Sequence, residues 1–420
     1  MDERIYWIWL SLACTPGGAT FAKLREKFSS AKEIYEADGE ELSRIVGYRS
    51  SDRNALSDKN LDKATEIFDF CRKHKVGILT YGDLNYPKAL REISNPPVLL
   101  YYRGILPDFN SKFFVSVVGT RALSDYGRRS AFKISYDLAM SGAVVVSGMA
   151  CGIDGVSHAG ALAAGGTTLA VIGSGIDVCY PAGHQRLARE IVKGGCVLTE
   201  YAPGTPPARY NFPTRNRIIS GLCAATLVIE GKEKSGAYIT ACCARDQGRK
   251  VYALPGNVGS ATSQLSNLLI KSGASLCTCA DDIVRDFMDK YPGVINPFNL
   301  PDVNRIDLTA VLSQLSVIAV CAGDDIFVPS RQKTLKAAAS IPKIENNDVD
   351  LPCEVVEPPS DFDKTALTIY KKIPLNGDIA LEELTDGETN LRQVMKSLLK
   401  LEMGGFIRML PQDRVARKTN

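Results

Sequence analysis

Apolar and polar positions change their rhythm along the 420 residues of this chain. Up to about residue 72 the apolar positions recur at helical spacing. A run from Ile5 to Cys14 holds both tryptophans, Thr15-Pro16-Gly17-Gly18 interrupts it, Phe21, Leu24 and Phe28 follow, and Leu61 to Cys71 is amphipathic, with Ile67, Phe68 and Phe70 as its apolar surface. Residues three and four apart share a helix face, so this stretch predicts a small helical module. From about residue 113 the pattern becomes short, continuous apolar runs that end in glycine or serine and alternate with helical segments. The runs predict strands at Phe113 to Val118, Ala143 to Val146, Thr168 to Ile172, Cys196 to Thr199, Ala225 to Ile229 and Val251 to Ala253. A strand without polar alternation is covered on both faces, and strands separated by helices pair in parallel, so the fold class is α/β, a parallel sheet with helices on both faces.

Beyond Tyr291 the pattern breaks. Pro292, Pro297, Pro301, Pro329, Pro342, Pro352, Pro358 and Pro359, with acidic residues clustered between Glu345 and Asp363, predict a linker. Helical spacing resumes with Leu367, Ile369, Tyr370 and Ile373, then Leu381 and Leu384, then Leu391, Val394, Met395, Leu398, Leu399 and Leu401. After Gly404-Gly405, the stretches Phe406 to Leu410 and Arg414 to Lys418 read as a β-hairpin. Three helices and a terminal hairpin predict a winged-helix-like module.

Composition narrows the function classes. With 45% hydrophobic and 23% charged residues the chain is an ordinary globular protein, long enough for two or three domains. Its 50 basic and 47 acidic side chains leave a net charge of +3, so any site for a polyanion must be local. The 12 cysteines are scattered, include the adjacent Cys242 and Cys243, and are expected as reduced thiols in a cytoplasmic protein. Cys277 and Cys279 lack a second ligand pair and the chain has only 3 histidines, so no metal is expected. Asp2 and Glu3 stand where a secretory signal would carry positive charge, which makes Ile5 to Cys14 a core helix. No apolar run approaches the roughly 20 residues needed to span a bilayer, and no membrane partner is expected.

In an open parallel sheet, ligands bind beyond the carboxyl ends of the strands. The first three predicted strands end in Gly119-Thr120-Arg121, in Ser147-Gly148-Met149-Ala150-Cys151-Gly152-Ile153-Asp154 and in Gly173-Ser174-Gly175-Ile176-Asp177. Glycine there admits a ligand to the backbone, and the amides that start the next helix suit a phosphate. A second cluster runs from Asn211 to Gly221. On a helix starting near Thr214, Arg215 and Arg217 would lie about 200° apart, so one would bind ligand while the other pairs internally. Phe212 offers a face on which a base could stack. The loop Glu230 to Ala237 leads into a further helix and is a third phosphate-contacting candidate. Asp154 and His158, four apart, would meet on one helix side, and the expected role is structural: a helix-start carboxylate that fixes the histidine.

The order of these motifs resembles the DNA-processing protein A (DprA/Smf) family. The resemblance is carried by Val118-Gly119-Thr120-Arg121, the S-G-x-A-x-G-I-D run from Ser147 to Asp154, the G-x-G-x-D run from Gly173 to Asp177 with Tyr180-Pro181 beyond it, and Thr199-Glu200-Tyr201. It continues through the F-P-x-R-N-R-I-I-x-G-L run from Phe212 to Leu222, the run from Ser235 to Ala241, Gly248-Arg249 and Leu254-Pro255-Gly256-Asn257. Where the family has S-G-S-L-I-T-A this chain has Ser235-Gly236-Ala237-Tyr238-Ile239-Thr240-Ala241, and Val415 stands where the terminal wing often has an aromatic.

The resemblance implies a Rossmann-like sheet, and with it a helical domain over 1–72, an extended Rossmann-like domain over 73–292, a Pro-rich acidic linker over 293–361 and a winged-helix-like domain over 362–420. It implies a non-enzymatic, dimeric protein that binds and protects single-stranded DNA with little sequence preference and helps to load a RecA-type recombinase in transformation or recombination. The DNA-binding residues it implies are Gly119, Arg121, Ser147, Gly148, Gly152, Gly173, Ser174, Gly175, Phe212, Arg215, Asn216, Arg217, Ser235 and Gly236. No cofactor, metal or catalytic residue is expected. The rival from another class is a phosphoribohydrolase-like nucleotide-processing enzyme using Asp154 or Glu230, although the chain lacks a G-G-x-G-T-x-x-E arrangement. A transcriptional regulator reading duplex DNA through Arg408, Arg414, Arg417 and Lys418 is a third reading.

Overall fold

The apolar runs of the second rhythm become the middle of one large sheet. A computed structural model describes residues 1–47, 52–296 and 306–317 and, nearer the C-terminus, 364–374, 378–380, 384, 394, 397–398, 401, 406–410 and 414–417. Met1–Pro329 forms one unit and Ser330–Asn420 a second. In the first, the strands are β1 (Gly77–Thr80), β2 (Leu99–Gly104), β3 (Phe114–Val118), β4 (Val144–Ser147), β5 (Thr168–Val171), β6 (Cys196–Thr199), β7 (Ala225–Val228), β8 (Lys250–Ala253) and β9 (Ser275–Leu276). They pair in the order β1-β2-β6-β5-β4-β3-β7-β8-β9. All pairs from β6 to β9 are parallel, as expected. The antiparallel edge of β2 on β6 and β1 on β2 was not among the predicted strands.

Strands β3 to β7 are buried along their whole length. Alternate side chains feed two cores: Val115 and Val117 point to one, Phe114 and Val118 to the other. The polar Ser116 is tolerated in β3 because its hydroxyl donates to Thr226 Oγ1 on β7 at 2.7 Å. Right-handed crossovers decide which helices cover which face. As the chain steps from β3 to β6, the helices Asp125–Met140, Ile153–Ala163 and Gln185–Gly194 line the first core. It then returns to β7 beside β3 and proceeds outward, and Asn211–Gly221, Gly236–Asp246 and Gln264–Lys271 line the second.

The N-terminal helices, from Glu3–Ala13 to Asp62–Lys73, add Trp7, Trp9, Phe21 and Ile67 to the first core. Within the stretch expected as a linker, the helix Leu308–Gln314 is capped by Asp307, whose side chain accepts from the Ala310 amide at 3.0 Å, and Leu312 and Leu315 are buried in the same core. Residues 318–363 lie outside the described residues. Of the cysteines expected as thiols, Cys151 is disulfide-bonded, while the other described ones are free. Among the described residues no helix is long and apolar enough to cross a membrane.

The second unit has the helix Lys364–Lys372 and an antiparallel sheet of β10 (Asp378–Ala380), β11 (Ile407–Leu410) and β12 (Arg414–Arg417), ordered β10-β12-β11. The expected hairpin is β11 and β12. Val415, the departure from the family's aromatic, is fully buried against Ile369, Leu398 and Ile407 in that unit's own core.

Phe113, just before β3, is fully buried, its ring 5.0 Å from that of Phe287 and 4.9 Å from that of Tyr291. We expect Phe113→Ala to cost about 3–5 kcal/mol through the cavity it leaves. A lowered urea midpoint at unchanged denaturant slope is the measurement that checks it.

Candidate nucleic-acid interface

Strands β3 and β7 are hydrogen-bonded neighbours from which the chain departs in opposite directions, and such a reversal opens a crevice at the carboxyl edge. Here the crevice is filled from within. Glu230, directly after Ile229, is 2% exposed, and its carboxylate accepts from the Ser124 amide at 3.0 Å, the Ser124 hydroxyl at 2.5 Å and the Thr262 hydroxyl at 3.2 Å. Its carbonyl accepts from the Thr120 amide at 2.8 Å. Ser124 is the N-cap of the Asp125–Met140 helix, so the helix end that would attract a phosphate already holds the protein's own anion. Gly119 lies beneath, packed on Ile153 and the Glu230 carbonyl.

The loop after β4 is organised around a second buried charge. Arg215, 4% exposed, donates to the Gly148 carbonyl at 2.8 Å and to the Val171 carbonyl. Burial lowers its pKa to about 10, and Asp154 is the anion that offsets this most. Asp154 accepts from the Gly148 amide at 3.1 Å and the Ala150 amide at 3.4 Å. Burial raises its carboxyl above the usual range while Arg215 pulls it down. Ser147 donates to the Val117 carbonyl at 2.7 Å, and Gly152 caps the Ile153–Ala163 helix at φ 79° under the Thr120 and Arg121 carbonyls. The Ser147 hydroxyl and the Gly148 and Ala150 amides, expected to meet phosphate, thus serve contacts between loops.

The expected pairing of Asp154 with His158 is not formed. His158 is fully buried, and its Nδ1 lies 2.7 Å from Thr168 Oγ1. Burial first, then His184 and Arg215, push its pKa from 6.5 down to about 3.

Arg217 lies on the other side of its helix from Arg215, as the spacing implied, yet it too is paired internally. Its guanidinium meets Glu200 with two bonds of 3.0 and 2.7 Å, at side-chain exposures of 11% and 6%. Asn216 donates to the Gly236 carbonyl at 3.2 Å and joins two helices. Ser235 precedes the Gly236–Asp246 helix without capping it through its side chain, and Gly236 is exposed with open space where a side chain would be.

Other cations of the edge stay at the surface, Arg121 among them. Arg121 is exposed, and no carboxylate among the described residues lies within ion-pair distance of it. Its guanidinium carbon sits 5.3 Å from the centroid of the half-buried Phe212 ring. That ring rests on Gly173, where a Cβ would come within 3.2 Å of it, and lies 5.5 Å from the Tyr180 ring, with Arg215 beneath at 5.9 Å. Gly173 also accepts from Asn211 at 2.9 Å, Ser174 donates to the Val178 carbonyl at 2.8 Å, and the Gly175 amide donates to the Thr205 carbonyl at 2.8 Å. Glu230 was expected only as the start of a phosphate-contacting loop and as the acid of the rival enzyme, and Tyr180 and Glu200 were not among the expected site residues. Nor were Arg209 and Tyr210, exposed just before the helix, although an adjacent cation and aromatic ahead of Phe212 was a signal in the sequence.

A family model described as DNA recombination-mediator protein A matches residues 77–288, from the first residue of β1 to beyond β9. This chain belongs to that family. Among the relatives, Protein Smf of Synechocystis is 36% identical over 283 residues, 66% of this chain and 70% of that protein. DNA processing protein DprA of Streptococcus pneumoniae is 45% identical over 202 residues, 48% of this chain and 71% of that protein. The crystal structure of DNA processing protein A from Streptococcus pneumoniae matches with a TM-score of 0.60 at 34% identity, covering 68% of this chain and 98% of that one. Membership of the DNA recombination-mediator family places the role of this chain in DNA processing, and the Rossmann-like sheet with its carboxyl edge lies inside the matched residues.

The buried histidine gives the family scaffold a pH dependence in this chain. Between pH 6.5 and 3 the unfolded chain binds a proton at His158 that the folded chain does not, so stability falls as pH drops through this window. From pH 7 to pH 5 we expect about 2 kcal/mol of loss from this group. His184, also lowered by burial, acts in the same direction. Denaturant unfolding at the two pH values checks it, with a shallower pH dependence in His158→Gln.

Proposed function

We propose that this chain binds single-stranded DNA along the carboxyl edge of its sheet, with little sequence preference, protects it and helps to load a RecA-type recombinase onto it. The reading rests on one observation. Arg121 is an exposed cation without a carboxylate partner among the described residues, and its guanidinium carbon lies 5.3 Å from the centroid of the half-buried Phe212 ring. A base stacks on an aromatic face whatever its identity, and a guanidinium beside it takes the phosphate through charge-assisted hydrogen bonds. Such a face binds strands rather than sequences, because it offers the base no donor or acceptor code. A duplex would have to unstack to use it, which favours single strands.

The other residues of the edge support that face. Arg215 underlies Phe212, and Gly173 makes room for its ring. Gly236, exposed at the start of the Gly236–Asp246 helix beside the exposed Lys232 and Lys234, extends the path of the backbone, while the half-buried Ser235 before it keeps its hydroxyl inside. The phosphoribohydrolase-like reading finds less support: Asp154 is taken up by loop amides, and Glu230 by Ser124 and Thr262. We read the chain as a binder rather than an enzyme, acting in the cytoplasm as a homodimer. A groove of about 440 Å³, with Tyr238, Leu268 and Leu269 in its lining, supports self-association on the β9 flank. Sedimentation of Leu268→Glu checks this: a smaller species is expected than for the unsubstituted chain.

For the DNA face, we expect Arg121→Glu to weaken binding of a single-stranded oligonucleotide and to flatten its salt dependence, because counterions released by phosphate contacts drive the association. Phe212→Ala should cost about 1–3 kcal/mol of binding while the salt slope stays as in the wild type. Salt-titrated fluorescence anisotropy reads both quantities. Unchanged affinity in a folded Arg121→Glu protein would remove Arg121, and with it this reading of the edge.

A further inference from the structure

Arg217 sits in the same motif as Phe212, yet its guanidinium is turned away from the exposed edge and bound through two bonds to Glu200. A buried ion pair loses much of its Coulomb energy to desolvation, so it is a weak way of adding stability. It is a strong way of fixing an angle, since the planar fork meets a carboxylate in one orientation. The pair therefore sets the rotation of the Asn211–Gly221 helix about its axis relative to the end of β6. A second tether acts at the helix start: the Tyr201 hydroxyl donates to the Asn211 carbonyl at 3.2 Å, and Asn211 donates to the Gly173 carbonyl at 2.9 Å. Phe212 lies between the two tethers.

The N-terminal helical module closes over this pair. Gly17, at φ 74°, comes so near that a Cβ there would meet Thr214 Cγ2 at 2.7 Å and Arg217 Nε at 3.4 Å. The turn is held in place by Asp52, which accepts from the Thr15 amide at 3.1 Å and the Thr15 hydroxyl at 2.5 Å. Phe21, Pro97 and Leu99 line the small cavity around Glu200 and Arg217. Excluding water from an ion pair strengthens it and stiffens its geometry.

We infer that Glu200 and Arg217 are positioning residues for the Phe212 face, and that the N-terminal module takes part in DNA binding through the Gly17 turn that seals them, without touching the strand. This rests on the reading of that face as the single-strand site. It also reassigns Arg217 from phosphate contact to support.

The experiment compares Glu200→Gln, Arg217→Met, Arg217→Lys and Gly17→Ala with Arg121→Met as reference. Affinity for an oligothymidylate is measured against salt, with the active fraction fixed by stoichiometric titration. Amide hydrogen exchange of the Asn211–Gly221 helix is followed with no DNA present. We expect Glu200→Gln, Arg217→Met and Gly17→Ala to weaken binding about tenfold at an unchanged salt slope, Arg217→Lys to lie between them and the wild type, and exchange in that helix to quicken in step. Arg121→Met should lower the slope by about 0.7, the signature of one lost phosphate contact on a single strand. If Arg217→Met lowers the slope as Arg121→Met does, Arg217 contacts phosphate and the inference fails. It fails equally if Glu200→Gln and Gly17→Ala leave affinity and exchange as in the wild type. Should one variant not fold, the milder Arg217→Lys and Gly17→Ala still decide the matter. Failure of the single-strand reading shows separately, as wild-type binding that does not depend on Arg121, while the exchange measurement needs no DNA at all.

Discussion

The central strands β3 to β7 are buried on both faces, and that constraint places everything else. Along β3 the side chains of Val115 and Val117 go to one core and those of Phe114 and Val118 to the other, and the neighbouring strands are divided in the same way. No residue of β3 to β7 is left to meet a ligand. In open sheets of this kind ligands are met by the loops at the carboxyl edge, where the helices that cover the two faces begin. The crossover rule that puts three helices on each face also brings the loop after β3 against the loop after β7, so the edge is crowded before any ligand arrives.

Crowding explains how the edge uses its charges. A buried ion without a partner is costly, so each of those drawn into the loops is met by a counter-charge or a set of dipoles. Glu230 is met by Ser124 and Thr262, Arg215 by two carbonyls and the field of Asp154, and Arg217 by Glu200. With Glu230 seated at the Asp125–Met140 helix start, the crevice that holds dinucleotides in related topologies is occupied by the chain's own carboxylate. Arg121, just after β3, stays exposed at this edge, as do Arg209, Lys232 and Lys234. A chain of net charge +3 can therefore present a local site for a polyanion.

The strands between β3 and β8 were legible because burial on both sides makes a continuous apolar run of each one. Strands β1 and β2 were not. They lie on the antiparallel flank, where β2 runs from buried Leu99 to exposed Gly104, and a run that is apolar at one end only lacks the signature of a central strand. Leu308–Gln314 was hidden among prolines and acidic residues, although Asp307 was its cap. The site motifs were legible as positions along the chain. Their contacts were not: Gly148 was read as a phosphate cradle, and its amide and carbonyl instead hold Asp154 and Arg215.

By itself the amino-acid sequence determined the class of fold, the loops that form the carboxyl edge, the family resemblance and the opposite directions of Arg215 and Arg217, because periodicity and helix geometry act between near neighbours. Which charges remain free for a ligand was decided only by the tertiary structure. Ser124 and Glu230 stand 106 residues apart, Gly148 and Arg215 67 apart, and Glu200 and Arg217 17 apart. Each pairing depends on the distance between loops that only the folded sheet brings together, and Coulomb and hydrogen-bond energies fall off within a few ångströms of that distance.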